Sequence, residues 1–187
     1  MKELPPKFDM LGQFKIKKDD TIFDASCTPA VIMFNPKYPH NVGAAVRACS
    51  CFGVNHLVFT GDRLLDELGE QSKKGYRLPR EERMKGYKDV NIYNDQYPFN
   101  RFSKDVTPVA VEVRNNSQPL PNFRHPRNPV YVFGPEDGSL PQIYLKHCHM
   151  FVIIPSKHCL NLAAAVNIVL YDRVAKSNYT SSDYMKI

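Results

Sequence analysis

Three short segments of this 187-residue chain carry residues able to do chemistry, and each follows an apolar run: Asn41-Val-Gly-Ala-Ala-Val-Arg47, Phe133-Gly-Pro-Glu-Asp-Gly-Ser-Leu140 and Cys159-Leu-Asn-Leu-Ala-Ala-Ala-Val166. Arg47 is a fixed cation suited to a phosphate or a hydroxyl. Glu136 can pair with Arg47 or accept from ligand hydroxyls, and Gly134 and Gly138 on either side of it allow close backbone approach. Asn41 suits the N-cap of the helix it opens, and Asn161 opens another, so free N–H groups at both points can meet an anion. Helical side chains lean toward the N-terminus, which carries Arg47 over the side-chain-free Gly43. Taken singly, these segments also read as a surface ion pair, a tight turn and an ordinary cap. Taken together, they place an arginine, a carboxylate and two amides where strands of an α/β sheet end, which is where such sheets bind ligands.

The elements that must hold these residues follow from periodicity. Ala30 to Asn35 is a short apolar run suited to a buried strand, and Pro36 and Pro39 force a loop after it. A helix from about Asn41 to Phe52 sets Val42, Ala45, Val46, Cys49 and Phe52 on one stripe and is stopped by Gly53. His56 to Thr60 reads as the next strand, giving a β-α-β opening. Further strands are expected at Val90 to Tyr93, Val109 to Val113, Val130 to Phe133 and Met150 to Ile154, with a short helix at Ile143 to His147. The last helix, Leu160 to about Lys176, is apolar nearly all round until Asp172, so it is expected to be buried against the sheet or a second subunit. The alternation predicts one α/β domain with a mostly parallel sheet flanked by helices over residues 29–176, with peripheral segments at 1–28 and 177–187.

Composition bounds the functional classes. A hydrophobic share of 43% with 11% aromatics is ordinary for a globular domain, and no apolar run is long enough to span a membrane. The N-terminus lacks the apolar stretch of a secretory signal, so a cytoplasmic location is expected. Five cysteines, an odd number, do not form a disulfide framework, and the His147, Cys148, His149, His158 and Cys159 group lacks metal-ligand spacing, so no metal is expected. A net charge of +6 favours an anionic partner. The basic residues Lys73 to Lys88, interleaved with Tyr76 and Tyr87, suit RNA, as does the cluster Lys15, Lys17 and Lys18, though Glu81, Glu82 and Asp89 are mixed into the first.

The order of the three segments resembles the TrmH-like family of the SPOUT RNA methyltransferases. Its motifs read roughly N-x-G-x-x-x-R, then F-G-x-E-x-x-G-L after a strand, then I-P followed by S-L-N and a long apolar helix. Here they are Asn41, Gly43 and Arg47; Phe133, Gly134, Glu136 and Leu140; and Ile154, Pro155, Leu160, Asn161 and Leu162. The motif-two glycine arrives one place early, as Gly138, and Cys159 stands where many relatives have serine. The resemblance implies a deep C-terminal trefoil knot and a homodimer. It also implies S-adenosyl-L-methionine held around Val111, Gly134, Ile154, Cys159 and Leu160, and methyl transfer to a ribose 2′-hydroxyl of tRNA or rRNA. It casts Arg47 as the base acting on that hydroxyl, with Asn41, Glu136 and Asn161 orienting Arg47 and the ribose. The alternatives are an RNA-binding relative without catalysis and a methyltransferase acting on a base nitrogen.

Overall fold

A computed structural model describes residues 16–17, 22–74 and 89–177. Eight strands form one sheet: β1 (Ile16–Lys17), β2 (Ala30–Met33), β3 (His56–Phe59), β4 (Asn91–Asn94), β5 (Thr107–Val111), β6 (Gln118–Pro119), β7 (Pro129–Phe133) and β8 (Met150–Ile153). They lie in the order β1-β4-β3-β2-β7-β5-β8-β6, and every paired neighbour is parallel. Among the described residues, three α-helices lie between strands, α1 (Pro39–Cys51), α2 (Arg63–Lys73) and α3 (Gln142–Leu145), and a fourth, α4 (Leu162–Lys176), follows β8.

The central strands are apolar throughout because both faces of the sheet are covered. β2 and β7 are buried at every position. With a period of two, Val31, Met33, Leu57, Phe59, Tyr131 and Phe133 pack beneath α1, α2 and α4. Ala30, Ile32, Val58, Val130 and Val132 turn to the other face, against Phe23, Tyr93, Tyr144 and Cys148. Phe23 is fully buried, so the segment up to residue 28, expected to be peripheral, sends a core side chain under the sheet.

Several boundaries differ from the sequence expectation for visible reasons. α1 starts two residues before Asn41, with Pro39 in its first turn and Tyr38 as its N-cap, so Asn41 is not the cap. Proline suits this position because its missing N–H would have no helical partner there. The strand expected at Val109–Val113 ends at Val111. Beyond it, the Glu112 N–H donates to the Val152 carbonyl at 3.0 Å, and the Ser117 hydroxyl returns to the Glu112 carbonyl at 2.7 Å. α4 begins at Leu162, with Asn161 as its cap. One side of α4 is buried through Val166, Val169 and Leu170, while Ile168 and Tyr171 remain exposed.

β8 is inserted between β5 and β6, which precede it in the chain. The connection 112–117 therefore passes across the carboxyl end of β8 before the chain enters β6. Most of the basic cluster Lys73 to Lys88 and the residues Lys15 and Lys18 lie outside the described residues; Lys73 ends α2, Lys74 follows it, and Lys17 lies in β1. Among the described residues, no helix is long and apolar enough to cross a membrane.

Candidate active site

The carboxyl ends of β2, β5, β7 and β8 converge on one edge of the sheet, and a cleft of about 500 Å³ opens there. Val111, Gly134, Ile154, Cys159 and Leu160, the five residues expected to hold a cofactor, all line it. Phe133, Ile153 and Leu162 add apolar wall. A Cβ at Gly134 would sit 3.5 Å from the Leu140 backbone nitrogen, at ordinary contact distance, so what the glycine contributes is open backbone facing the cleft.

Beside this cleft the three motifs are joined by one chain of side-chain bonds. The Asn161 side-chain Oδ1 accepts the N–H groups of Ala163 and Ala164 at 2.9 and 3.2 Å, capping α4. Its amide then donates to Asn41 Oδ1 at 2.8 Å, and Asn41 Nδ2 donates to Glu136 Oε1 at 2.9 Å. The Glu136 carboxylate also receives the Lys37 N–H at 3.0 Å and the Tyr38 N–H at 3.3 Å. Donors and acceptors alternate along this path, which fixes the orientation of both amides. Residues 95 and 120 positions apart are thus held in one register.

Of the two partners expected for Glu136, Arg47 is not bonded to it; its bonds go to the backbone entering α1 and to Asn41. Arg47 is exposed, does not line the cleft, and makes no hydrogen bond or ion pair among the described residues. Six residues along α1 place its backbone about 9 Å from that of Asn41, within reach of a long side chain that leans toward the helix start. Arg47 is therefore an exposed cation with no partner among the described residues, less than two helical turns along α1 from Asn41.

Three contributors escaped the sequence reading. Arg63, at the start of α2, clamps Asp137 bidentately at 2.9 and 2.6 Å and holds its carboxyl below the usual range. Glu112 lines the cleft and accepts the Leu140 N–H at 2.8 Å, tying the 112–117 connection to the loop of motif two. Asn35 adopts a left-handed φ of 43° as the chain leaves β2. Gly61, at φ 73°, fits against it, where a Cβ would lie 2.1 Å from Asn35 Oδ1. The signals in the sequence were a carboxylate beside the motif and an arginine opening an amphipathic stretch, neither tied to a partner until the fold is known.

Comparison with known proteins places this geometry. A protein of Mycoplasma genitalium, provisionally named tRNA (cytidine(34)-2′-O)-methyltransferase, is 27% identical over 163 residues, covering 82% of this chain and 93% of its own. The tRNA (cytidine-2′-O-)-methyltransferase TrmJ of Methanocaldococcus jannaschii is 23% identical, covering 79% of this chain and 67% of its own. Among solved structures, the A. aeolicus TrmH/SpoU tRNA modifying enzyme superposes with a TM-score of 0.60 at 21% identity, over 84% of this chain and 75% of the other. The profile of the SpoU rRNA methylase family matches residues 29–171, a span that contains the cleft, the relay and Arg47, and the chain belongs to that family.

Proposed function

We propose that this chain is an S-adenosyl-L-methionine-dependent methyltransferase acting on a ribose 2′-hydroxyl of RNA, with tRNA the favoured class because the relatives quoted above are named for tRNA. The observation that carries this is the bonded path Asn161–Asn41–Glu136 beside a cleft at the carboxyl edge of a parallel sheet. The cleft suits the cosubstrate chemically. Its volume lies within the 300–1,000 Å³ of small-molecule sites, strand-end backbone groups offer donors and acceptors, and Glu112 supplies a carboxylate toward a cation. Val111, Gly134, Ile154, Cys159 and Leu160 would hold it. Bound there, it supplies an electrophilic methyl group on a sulfonium.

The chain's own residues must bring a weak nucleophile into line, and alignment alone contributes several kcal/mol. A guanidinium is a fixed cation that carries only N–H donors, so Arg47 acts as a donor. It holds an RNA phosphate and polarises the ribose hydroxyl, whose proton leaves to phosphate or water. The relay keeps α1 and α4 in fixed register so that Arg47 meets the ribose at one position. Cys159 offers a weaker hydrogen bond than a serine would, so that position contributes through its backbone.

The same reading includes three features of the whole protein. The path of β8 between β5 and β6, crossed by 112–117, supports a deep trefoil knot. The exposed apolar side of α4 supports a homodimer. An RNA substrate supports a cytoplasmic site of action. The catalytic domain is assigned to 29–176.

Incubating the purified protein with methyl-labelled S-adenosylmethionine and unmodified total RNA, then digesting to nucleosides, tests the proposal. Label on ribose is the expected result. Label on a base makes the protein a base-nitrogen methyltransferase, and RNA binding without label makes it a noncatalytic binder.

A further inference from the structure

We propose that Tyr38 and His40 form a stacking platform for an unpaired RNA base next to the reacting ribose; this rests on the RNA-methyltransferase reading above. The two residues flank Pro39 beside Glu136, a carboxylate that lines the cleft, and both are exposed. Their rings stack with centroids 5.4 Å apart and planes 23° from parallel. Tyr38 is 38% exposed, and neither ring belongs to either core cluster, so packing does not account for the pair. The backbone beneath is fixed nevertheless. The Tyr38 N–H donates to Glu136, the carboxylate that also orients Asn41, and Pro39 locks the first turn of α1. The pair is therefore tied through its backbone to the Glu136–Asn41 path while both residues stay exposed, with the Lys37 side chain lying over the Tyr38 ring.

The chemistry of the neighbourhood selects the ligand. Unpaired bases stack on aromatic faces irrespective of sequence, and an adjacent cation takes the backbone phosphate. Lys37 Nζ lies 5.1 Å from the Tyr38 ring centroid, on a flexible stem that can turn to a phosphate when a base arrives. His40 and Arg47 are seven residues apart on one stripe of α1, so a nucleotide stacked on His40 has its sugar-phosphate on the side where Arg47 extends. A single-stranded loop fits this arrangement; a base held in a duplex cannot present its face.

The test compares wild type with Tyr38→Ala, Tyr38→Phe and His40→Ala. The readouts are filter binding of unmodified total RNA without cosubstrate, methyl transfer on the same RNA, and calorimetry with S-adenosylmethionine. Loss of the ring in Tyr38→Ala or His40→Ala is expected to weaken RNA binding and raise KM for RNA by about tenfold, with Tyr38→Phe close to wild type and cosubstrate binding unchanged. Wild-type RNA affinity in Tyr38→Ala overturns the platform. So does equal damage in Tyr38→Phe, which would assign the effect to the hydroxyl, and so does a changed sedimentation coefficient, which would place Tyr38 in a subunit contact. RNA binding that depends on Tyr38, in a wild-type protein that transfers no methyl group, sustains the platform and removes the enzymatic reading alone.

Discussion

Replacing Glu136 with alanine leaves two backbone N–H groups and the Asn41 amide without their acceptor. Asn41 is 3% exposed, so water cannot restore its bond. Bonds to a charged acceptor contribute about 1.5–3 kcal/mol each. Glu136→Ala is therefore expected to lower stability by about 2 kcal/mol or more, read as a reduced urea midpoint at unchanged slope. Glu136→Gln recovers part of this but turns an N–H toward another donor. Arg47 behaves oppositely, since no partner among the described residues depends on it. Arg47→Ala should leave the melting temperature and cosubstrate affinity in place while methyl transfer falls about 100-fold or more. Arg47→Lys separates charge from shape: a point charge cannot grip a phosphate and a hydroxyl together, so turnover should stay low. Near-normal turnover in that variant would remove the guanidinium from the mechanism.

Among the elements, α4 is held at its far end by a cluster distinct from the relay. His125, in the loop before β7, meets the Tyr131 hydroxyl at 2.6 Å and Asp172 at 2.8 Å, and Asp172 also pairs with Lys176 at 2.7 Å. Burial lowers the His125 pKa below 6.5; Asp172 opposes this shift, while Lys176 and Arg173 add to it. In the window just below pH 6.5, the unfolded chain binds the proton and the folded chain does not, so stability rises with pH there. The contribution is fully present above that window and is lost as acidification proceeds through the folded value. Melting from about pH 7.5 down to about pH 5.5 should therefore show a larger fall in Tm for wild type than for His125→Gln. The central strands were legible for a physical reason: β2, β3 and β7 are short apolar runs, and burial on both faces demands that pattern. β1 and β6 were not, because two residues carry no periodicity. α2 was missed because its charged residues dominate the stretch, and its buried Leu64, Leu65 and Leu68 emerge only at helical spacing. In the site, residue types and their order were legible, but partners were not: that Glu136 would serve Lys37, Tyr38 and Asn41 instead of Arg47 depends on where α1 begins, which Pro39 and the carboxylate decide together.

At the scale of the whole molecule, α1 and α4 run side by side, with Asn41 against Asn161 at the cleft end and the Phe52 ring 6.2 Å from the Tyr171 ring at the other. Tyr171 is 62% exposed and Ile168 38%, which leaves an apolar strip on α4, the helix that packs beside α1. In the homodimer proposed above, this strip is the surface a second copy of the chain would cover. A charge at its centre would have to lose water inside such a contact, at a cost of several kcal/mol. Ile168→Asp together with Tyr171→Asp is accordingly expected to convert a dimer to a monomer in sedimentation velocity. The fold should remain, because both positions are exposed on the single chain and the buried side of α4, Val166, Val169 and Leu170, is untouched. Methyl transfer should fall with the dimer while the circular dichroism spectrum is retained. A variant that sediments as wild type would show that the strip is not a subunit contact, and a monomer with full activity would show that each cleft works alone, with the relay sufficient to place its own Arg47.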